Sequence, residues 1–95
     1  MQINASLKIK TLKGEPFKTV DGDMTLGTVL AEVFANDKTG GKMKMYALAQ
    51  KFNKGGKVEV DTADLAMIKK SVEASQVQWN NIIMGQALEM LEQVK

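Results

Sequence analysis

The sequence predicts an α+β fold that is mostly helical: an N-terminal β-hairpin, about four helices, and a short strand between helices 2 and 3. Three observations predict it. Residues 3–9 alternate between apolar and polar side chains, four later stretches have the apolar period of amphipathic helices, and a short β-branched segment follows a Gly-Gly pair. A length of 95 residues suits one modest core, so a single domain spanning 1–95 is expected.

The predicted hairpin starts at the N-terminus, where every second residue from Ile3 to Ile9 is apolar. This period of two places the apolar side chains on one face of a half-buried strand. Gly14 and Pro16 indicate a turn, and residues 17–20 are the predicted returning strand.

The first predicted helix has Thr25 as its N-cap and ends near Asn36. Its apolar residues recur at the spacing that places them on one helical face, namely Leu26, Val29, Leu30, Val33 and Phe34. Residues 37–44 are polar and contain a Gly-Gly pair, so they are predicted to form a loop.

Residues 43–72 are the best-marked part of the fold and begin with the second predicted helix. The apolar face of this helix consists of Met45, Leu48, Ala49 and Phe52. Gly55 and Gly56 follow, and glycine tolerates the left-handed conformation at which many helices end. The pattern therefore predicts a helix stop at this pair.

A short strand and a third helix are predicted after this stop. Residues 57–60 alternate polar and β-branched side chains, which favours an extended segment. Asp61 is the predicted N-cap, with its carboxylate accepting from the backbone N–H of Asp64. Val60 and Leu65 have the spacing of a hydrophobic staple, and Ile68 and Val72 continue the inward face.

The last predicted helix begins at Asn80 or Asn81, either of which can act as its cap. Trp79 precedes the helix and is predicted to pack on Met84. The residues that share its apolar face are Ile83, Ala87, Met90, Leu91 and Val94.

Two residue types that support much enzyme and metal chemistry are missing from the sequence. Without cysteine there is no disulfide, thiolate nucleophile or thiolate metal site, and without histidine the commonest general base and transition-metal ligand is absent. Asp61 and Asp64 are close in sequence, but helix capping explains both. The sequence therefore predicts neither an enzyme nor a bound cofactor.

Two patterns resemble ligand sites without matching them. The oxygen spacing of a calcium loop occurs at Asp21, Asp23, Thr25 and Glu32. Leu26 nevertheless stands where that loop requires glycine, and residues 26–34 fit a helix better. The glycine pairs at 40–41 and 55–56 lie beside lysines, but neither has the order of a phosphate-binding loop. No metal site is predicted.

Charge is unevenly distributed along the chain. All 13 basic residues are lysine, which lacks the planar fork with which arginine reads base edges. Residues 1–57 hold ten lysines and five acids, a formal charge of +5, whereas residues 58–95 hold three lysines and six acids, or −3. No apolar run has bilayer length and the N-terminus does not resemble a signal peptide, so a cytoplasmic protein without a membrane partner is expected.

The lysine-rich segment 38–57 and a few aromatic or amide side chains are the candidates for partner contacts. Such a segment usually forms a solvated face, and non-specific contact with nucleic acid or with an acidic protein is the functional alternative. The seven methionines are interpreted mainly as core residues, with Met24, Met43 and Met84 as the ones expected near the surface. The predicted partner-binding residues are Lys42, Lys44, Tyr46, Lys51, Lys54, Trp79 and Gln86.

The chain contains, in this order, LGTVL at 26–30, YALAQK at 46–51, Asp64-Leu65 with Ile68-Lys69-Lys70, and Gly85-Gln86-Ala87 with Leu91-Glu92. Together with the initial strand and Gly-Pro turn, this series resembles a group of small bacteriophage and prophage proteins of unknown function. It departs from them at residues 77–80, where a proline is expected. The resemblance implies a phage-encoded accessory or assembly factor that acts through protein contacts and has no known catalytic residues.

These observations predict a non-catalytic protein-interaction module, encoded by a phage or prophage and located in the host cytoplasm. In this hypothesis a hairpin packs on four helices, and a protein partner binds an exposed methionine and aromatic surface. The alternative is a nucleic-acid-associated protein that uses the lysines of residues 38–57.

Overall fold

The computed structural model describes residues 1–19, 22–37, 41–75 and 80–94 of the chain. The order confirms the predicted α+β fold, with four helices and a strand between helices 2 and 3 in the described residues. The elements are β1 (Gln2–Asn4), β2 (Lys18–Thr19), β3 (Gly22–Asp23), α1 (Leu26–Asn36), α2 (Lys42–Asn53), β4 (Lys57–Glu59), α3 (Thr62–Glu73) and α4 (Asn81–Glu92).

The two outermost strands in the sequence pair with each other. β1 and β4 form an antiparallel sheet in which Ile3 lies opposite Val58, and both side chains are buried. This pairing differs from the prediction, in which residues 17–20 are the partner of the first strand. Of these residues, Lys18 and Thr19 form β2, which pairs with β3 in a second, two-residue ladder.

The predicted hairpin is present as a reversal of the chain rather than as two continuous strands. Gly14 occupies the turn with a φ of 87°, a conformation that glycine adopts without strain. Lys10 and Pro16 face each other as an isolated bridge, and the backbone N–H of Phe17 donates to the carbonyl of Ile9 at 3.0 Å.

Hydrogen bonding to α1 explains why β1 is shorter than the strand predicted at residues 3–9. Leu26 and Gly27, the first residues of α1, donate their backbone N–H groups to the carbonyls of Leu7 and Ala5, at 2.7 and 2.8 Å. The first N–H groups of a helix have no acceptor within the helix. The N-terminal segment supplies those acceptors and is therefore drawn away from a strand ladder.

Helix α1 is the centre of the core and contacts the other three helices. It begins as predicted, because the Thr25 hydroxyl accepts from the backbone N–H of Thr28 at 3.2 Å. Six of its 11 residues are buried, namely Leu26, Gly27, Val29, Leu30, Val33 and Phe34.

Helices α1 and α2 pack closely, and Gly27 permits this approach. A Cβ atom added there would lie 2.2 Å from the carbonyl oxygen of Phe52 and 2.9 Å from that of Ala5. The ring centroids of Phe34 and Phe52 lie 5.5 Å apart, and the planes of the two rings are tilted by 58°. This geometry is typical of aromatic pairs in cores.

The predicted joint between α2 and α3 is confirmed. Helix α2 ends at Asn53, and Gly55 and Gly56 have φ values of 81° and 77°. Asp61 caps α3 by accepting from the backbone N–H of Asp64 at 2.7 Å. The residues predicted to form its hydrophobic staple are both buried, namely Val60 and Leu65.

Helices α3 and α4 contact each other and α1. The Asn80 side chain caps α4 by accepting from the backbone N–H of Ile83 at 3.0 Å, as predicted. Ser71 of α3 donates from its hydroxyl to Asp37 at 2.7 Å, which ties α3 to the end of α1. The predicted contact of Trp79 with Met84 lies outside the described residues. Buried residues of α4 are Ile83, Ala87 and Leu91.

Candidate protein-interaction surface

Helix α2 has one buried side and one side of mixed apolar and cationic character. Met45, Leu48 and Phe52 enter the core, as predicted. We call the opposite side the α2 outer face and define it by seven exposed residues: Lys42, Met43, Tyr46, Ala47, Gln50, Lys51 and Lys54. The last of these is the C-cap of the helix.

Met43 and Tyr46 are the apolar feature of this face. Their exposed fractions are 80% and 62%, and they lie three residues apart on the same side of the helix. The Tyr46 hydroxyl accepts from the side-chain amide of Gln50 at 3.2 Å, a contact that restrains the ring along the helix. An exposed aromatic residue beside an exposed methionine is a composition typical of protein interfaces.

A groove borders the α2 outer face where α1 ends and α2 begins. Its volume is about 220 Å³, and its wall consists of Phe34, Ala35, Asp37, Lys42, Met45, Tyr46 and Ala49. Small-molecule sites usually measure about 300 to 1,000 Å³. The α1–α2 groove therefore has the size for one or two side chains of a partner rather than for a drug-sized ligand.

The lysines of α2 fall into two groups. Lys44 forms an ion pair with Asp64 of α3 at 3.1 Å. Within the described residues, Lys42, Lys51 and Lys54 form no ion pair. Residues 41–58 hold five lysines and no acid, so the α2 outer face is positively charged.

Gln86, another predicted partner-binding residue, has a contact within the fold instead. The Gln86 oxygen accepts from the backbone N–H of Lys10 at 2.9 Å, and the Gln86 amide group donates to the carbonyls of Lys10 and Ile82. This half-buried side chain thus links the N-terminal segment to α4 and is not part of the α2 outer face. Trp79 lies outside the described residues.

The methionine prediction holds in part. Met43 is exposed, but Met84 is half-buried against the core and Met24 is only 7% exposed. The placement of Met24 corrects the prediction. Its backbone pairs with Ile9 and Phe17, which draws its side chain into the core with the N-terminal segment.

Residue patterns in the sequence do not predict the groove. Tyr46 and Lys42 were recognised from their residue types, but Phe34 and Ala35 join them only because α1 packs antiparallel to α2 across a short connection.

The carboxyl groups of Asp23 and Glu59 have lowered pKa values, and neither residue belongs to α2 or to the described wall of the α1–α2 groove. The hydrogen bond from Lys18 and then that from Lys8 lower the pKa of Asp23, and the N-terminal ammonium lowers the pKa of Glu59. In the described ranges, no group of three or more acids is placed to hold a metal ion. Nor does any described helix have the length and apolar character needed to cross a bilayer.

Comparisons of the chain with protein-family models, with curated proteins and with solved structures found no match.

Proposed function

We propose that this chain is a small, non-catalytic interaction module that binds a protein partner through the α2 outer face and the α1–α2 groove. The observation that supports it is the exposure of Met43 and Tyr46, at 80% and 62%, on a helix whose opposite side enters the core. Aromatic and methionine side chains are enriched at protein interfaces, where a few such residues supply most of the binding energy.

The proposal includes a phage or prophage origin and an accessory or assembly role in the host cytoplasm. The phage origin rests on the resemblance of the four short segments described above, and the non-catalytic assignment rests on the absence of histidine and cysteine from the sequence. Neighbouring genes test this origin. Head or tail genes beside the coding sequence are expected, and a chromosomal setting without phage genes would contradict it.

Selection from a displayed library of random peptides tests the interaction itself. Peptides of about 16 residues are suitable, because they can form about four helical turns. We expect peptides that bind the wild-type protein and lose binding to the double variant Met43→Ser, Tyr46→Ser. The control is Leu12→Ser, which removes a side chain that is 86% exposed on the loop beside α4.

Two results would contradict the proposal: the selection yields no binding peptide, or the selected peptides bind the double variant as tightly as the wild type. The far-ultraviolet circular dichroism of each variant shows that the fold is retained. This retention is expected, because substitutions of exposed residues rarely change stability by more than about 0.5 kcal/mol.

A second candidate function is non-specific binding of nucleic acid by the lysines of residues 38–57, of which 41–57 are described. The absence of ion pairs at Lys42, Lys51 and Lys54 in the described part of the chain favours it. Binding should then weaken steeply with added salt and be indifferent to base sequence. A low-salt titration with DNA and RNA that shows no binding would remove this candidate.

A further inference from the structure

The charge around the exposed apolar pair has a single sign. Lys42 precedes Met43 and Tyr46 on α2, and Lys51 and Lys54 follow them. The only ion pair formed by an α2 lysine in the described residues is that of Lys44, on the side facing α3. The cations of the α2 outer face are therefore available to carboxylates of a partner.

The one acid in the wall of the α1–α2 groove does not reverse this charge. Asp37 accepts a hydrogen bond from the buried Ser71 at 2.7 Å, so its carboxylate is held toward α3. The other groove residues in the described part of the chain are a lysine, a tyrosine and four apolar side chains. An apolar side chain of a partner can thus enter the groove, while a carboxylate beside it meets Lys42.

The spacing of these groups matches a helix laid along α2. Residues four apart on a helix are neighbours, so Lys42 and Tyr46 lie on the groove side, whereas Met43, Ala47 and Lys51 form the next row. Lys42 and Lys54 are separated by about 18 Å at a rise of 1.5 Å per residue. A partner helix of about three turns spans this distance, in the manner of other helix-in-groove complexes.

On the basis of the proposed function, we propose that the partner segment is an acidic amphipathic helix. Its apolar side chains contact Met43 and Tyr46 and enter the α1–α2 groove, and its carboxylates face Lys42, Lys51 and Lys54. The apolar groove and the exposed methionine favour this occupant over nucleic acid, which would leave both without a complementary group.

The peptides selected on the wild-type protein test this chemistry directly. We expect enrichment of aspartate and glutamate, together with leucine, isoleucine, methionine or phenylalanine at helical spacing. For one such peptide, the double variant Lys51→Glu, Lys54→Glu should raise the dissociation constant at least about tenfold at low salt, because complementary charges become repulsive. Fluorescence anisotropy of the labelled peptide measures the change.

Two controls make the charge dependence specific. Lys13→Glu alters an exposed lysine on the loop beside α4 and should change the dissociation constant less than about twofold, since it lies outside the α2 outer face. A peptide in which lysine replaces the acids should bind the Lys51→Glu, Lys54→Glu variant more tightly than it binds the wild type. That exchange of preference, together with the small effect of Lys13→Glu, would show that the charge complementarity is local to this face.

The possible failures are distinguishable. If the selected peptides bind through Met43 and Tyr46 but lack acidic residues, or ignore the Lys51 and Lys54 reversals, the acidic partner is rejected and the proposed function stands. If no peptide binds, both proposals fail. If a DNA duplex binds the same lysines more tightly than any peptide and is displaced by none, nucleic acid is the occupant and the acidic helix is rejected.

Discussion

Helices α1 and α2 are neighbours in sequence and pack on each other, yet they differ in how many of their residues are buried. α1 buries six of its 11 residues and contacts all three other helices, whereas α2 buries three of its 12 and packs mainly on α1. We therefore expect substitutions at buried positions to destabilise the protein and substitutions on the outer face of α2 to be tolerated. Six residues of α1 are enclosed by protein, whereas the outer face of α2 is exposed to solvent.

Two aromatic residues of α2 give the largest expected contrast. Phe52 is fully buried against Phe34, so Phe52→Ala should destabilise the protein by about 3 to 5 kcal/mol through lost burial and the cavity left behind. Tyr46→Ala, on the outer face of the same helix, should change stability by less than about 0.5 kcal/mol. Urea unfolding measures both. Equal losses would mean that α2 has no free side.

Two helical glycines give the next contrast. Gly27→Ala should cost about 3 kcal/mol or more, because its Cβ would overlap the Phe52 carbonyl and force α1 and α2 apart. Gly85 of α4 is exposed and has open space at the Cβ position, so Gly85→Ala should stabilise the protein by about 0.5 to 1 kcal/mol. Thermal and urea unfolding report the two signs. A neutral Gly27→Ala would contradict the close packing.

The helix starts differ as well, with a smaller expected effect. Thr25 caps α1 through its hydroxyl, so Thr25→Ala should cost about 1 kcal/mol. α2 starts at Gly41 without a side-chain cap, and Gly41→Asn should stabilise the protein by a few tenths of a kcal/mol. Urea unfolding measures both changes. A Thr25→Ala variant as stable as the wild type would contradict the cap formed by the Thr25 hydroxyl.

Lysine pairing extends the comparison to charge. Ahead of α1, Asp23 pairs with Lys18 and Lys8 at 2.5 and 3.1 Å, and these contacts lower its pKa below the ordinary 3.8. Since the folded pKa is depressed, the associated stability is present above about pH 3.8 and is lost as pH falls through the folded pKa.

Lys18→Met should therefore raise the pKa of Asp23 toward 3.8, as followed by NMR titration of its carboxyl carbon. Glu59, whose pKa is lowered by the N-terminal ammonium, is the internal control and should not move. An unchanged Asp23 titration would show that the pairing with Lys18 does not persist in solution.

Local signals in the sequence predicted much of the fold. Thr25, Asp61 and Asn80 cap the helices expected of them, because a cap depends on a side chain and an amide three residues away. The apolar faces of the helices followed from their period.

What sequence reasoning missed depends on contacts between distant segments. No local pattern indicates that β1 pairs with β4, or that the Gln86 side chain forms hydrogen bonds with the backbone of Lys10, 76 residues away. For the candidate surface, residue type identified Tyr46 and the lysines. Helix packing produces the groove and the ion pair of Lys44 with Asp64, and no local sequence pattern predicts that packing.

The assignment of the binding surface to the α2 outer face can be tested by NMR titration of the 15N-labelled protein with a selected acidic peptide. Amide shifts are expected on α2 from Lys42 to Lys54 and at Ala35 beside the groove, with α4 and the loop around Leu12 unchanged. Shifts confined to α4 or to that loop would contradict the assignment of the binding surface to α2.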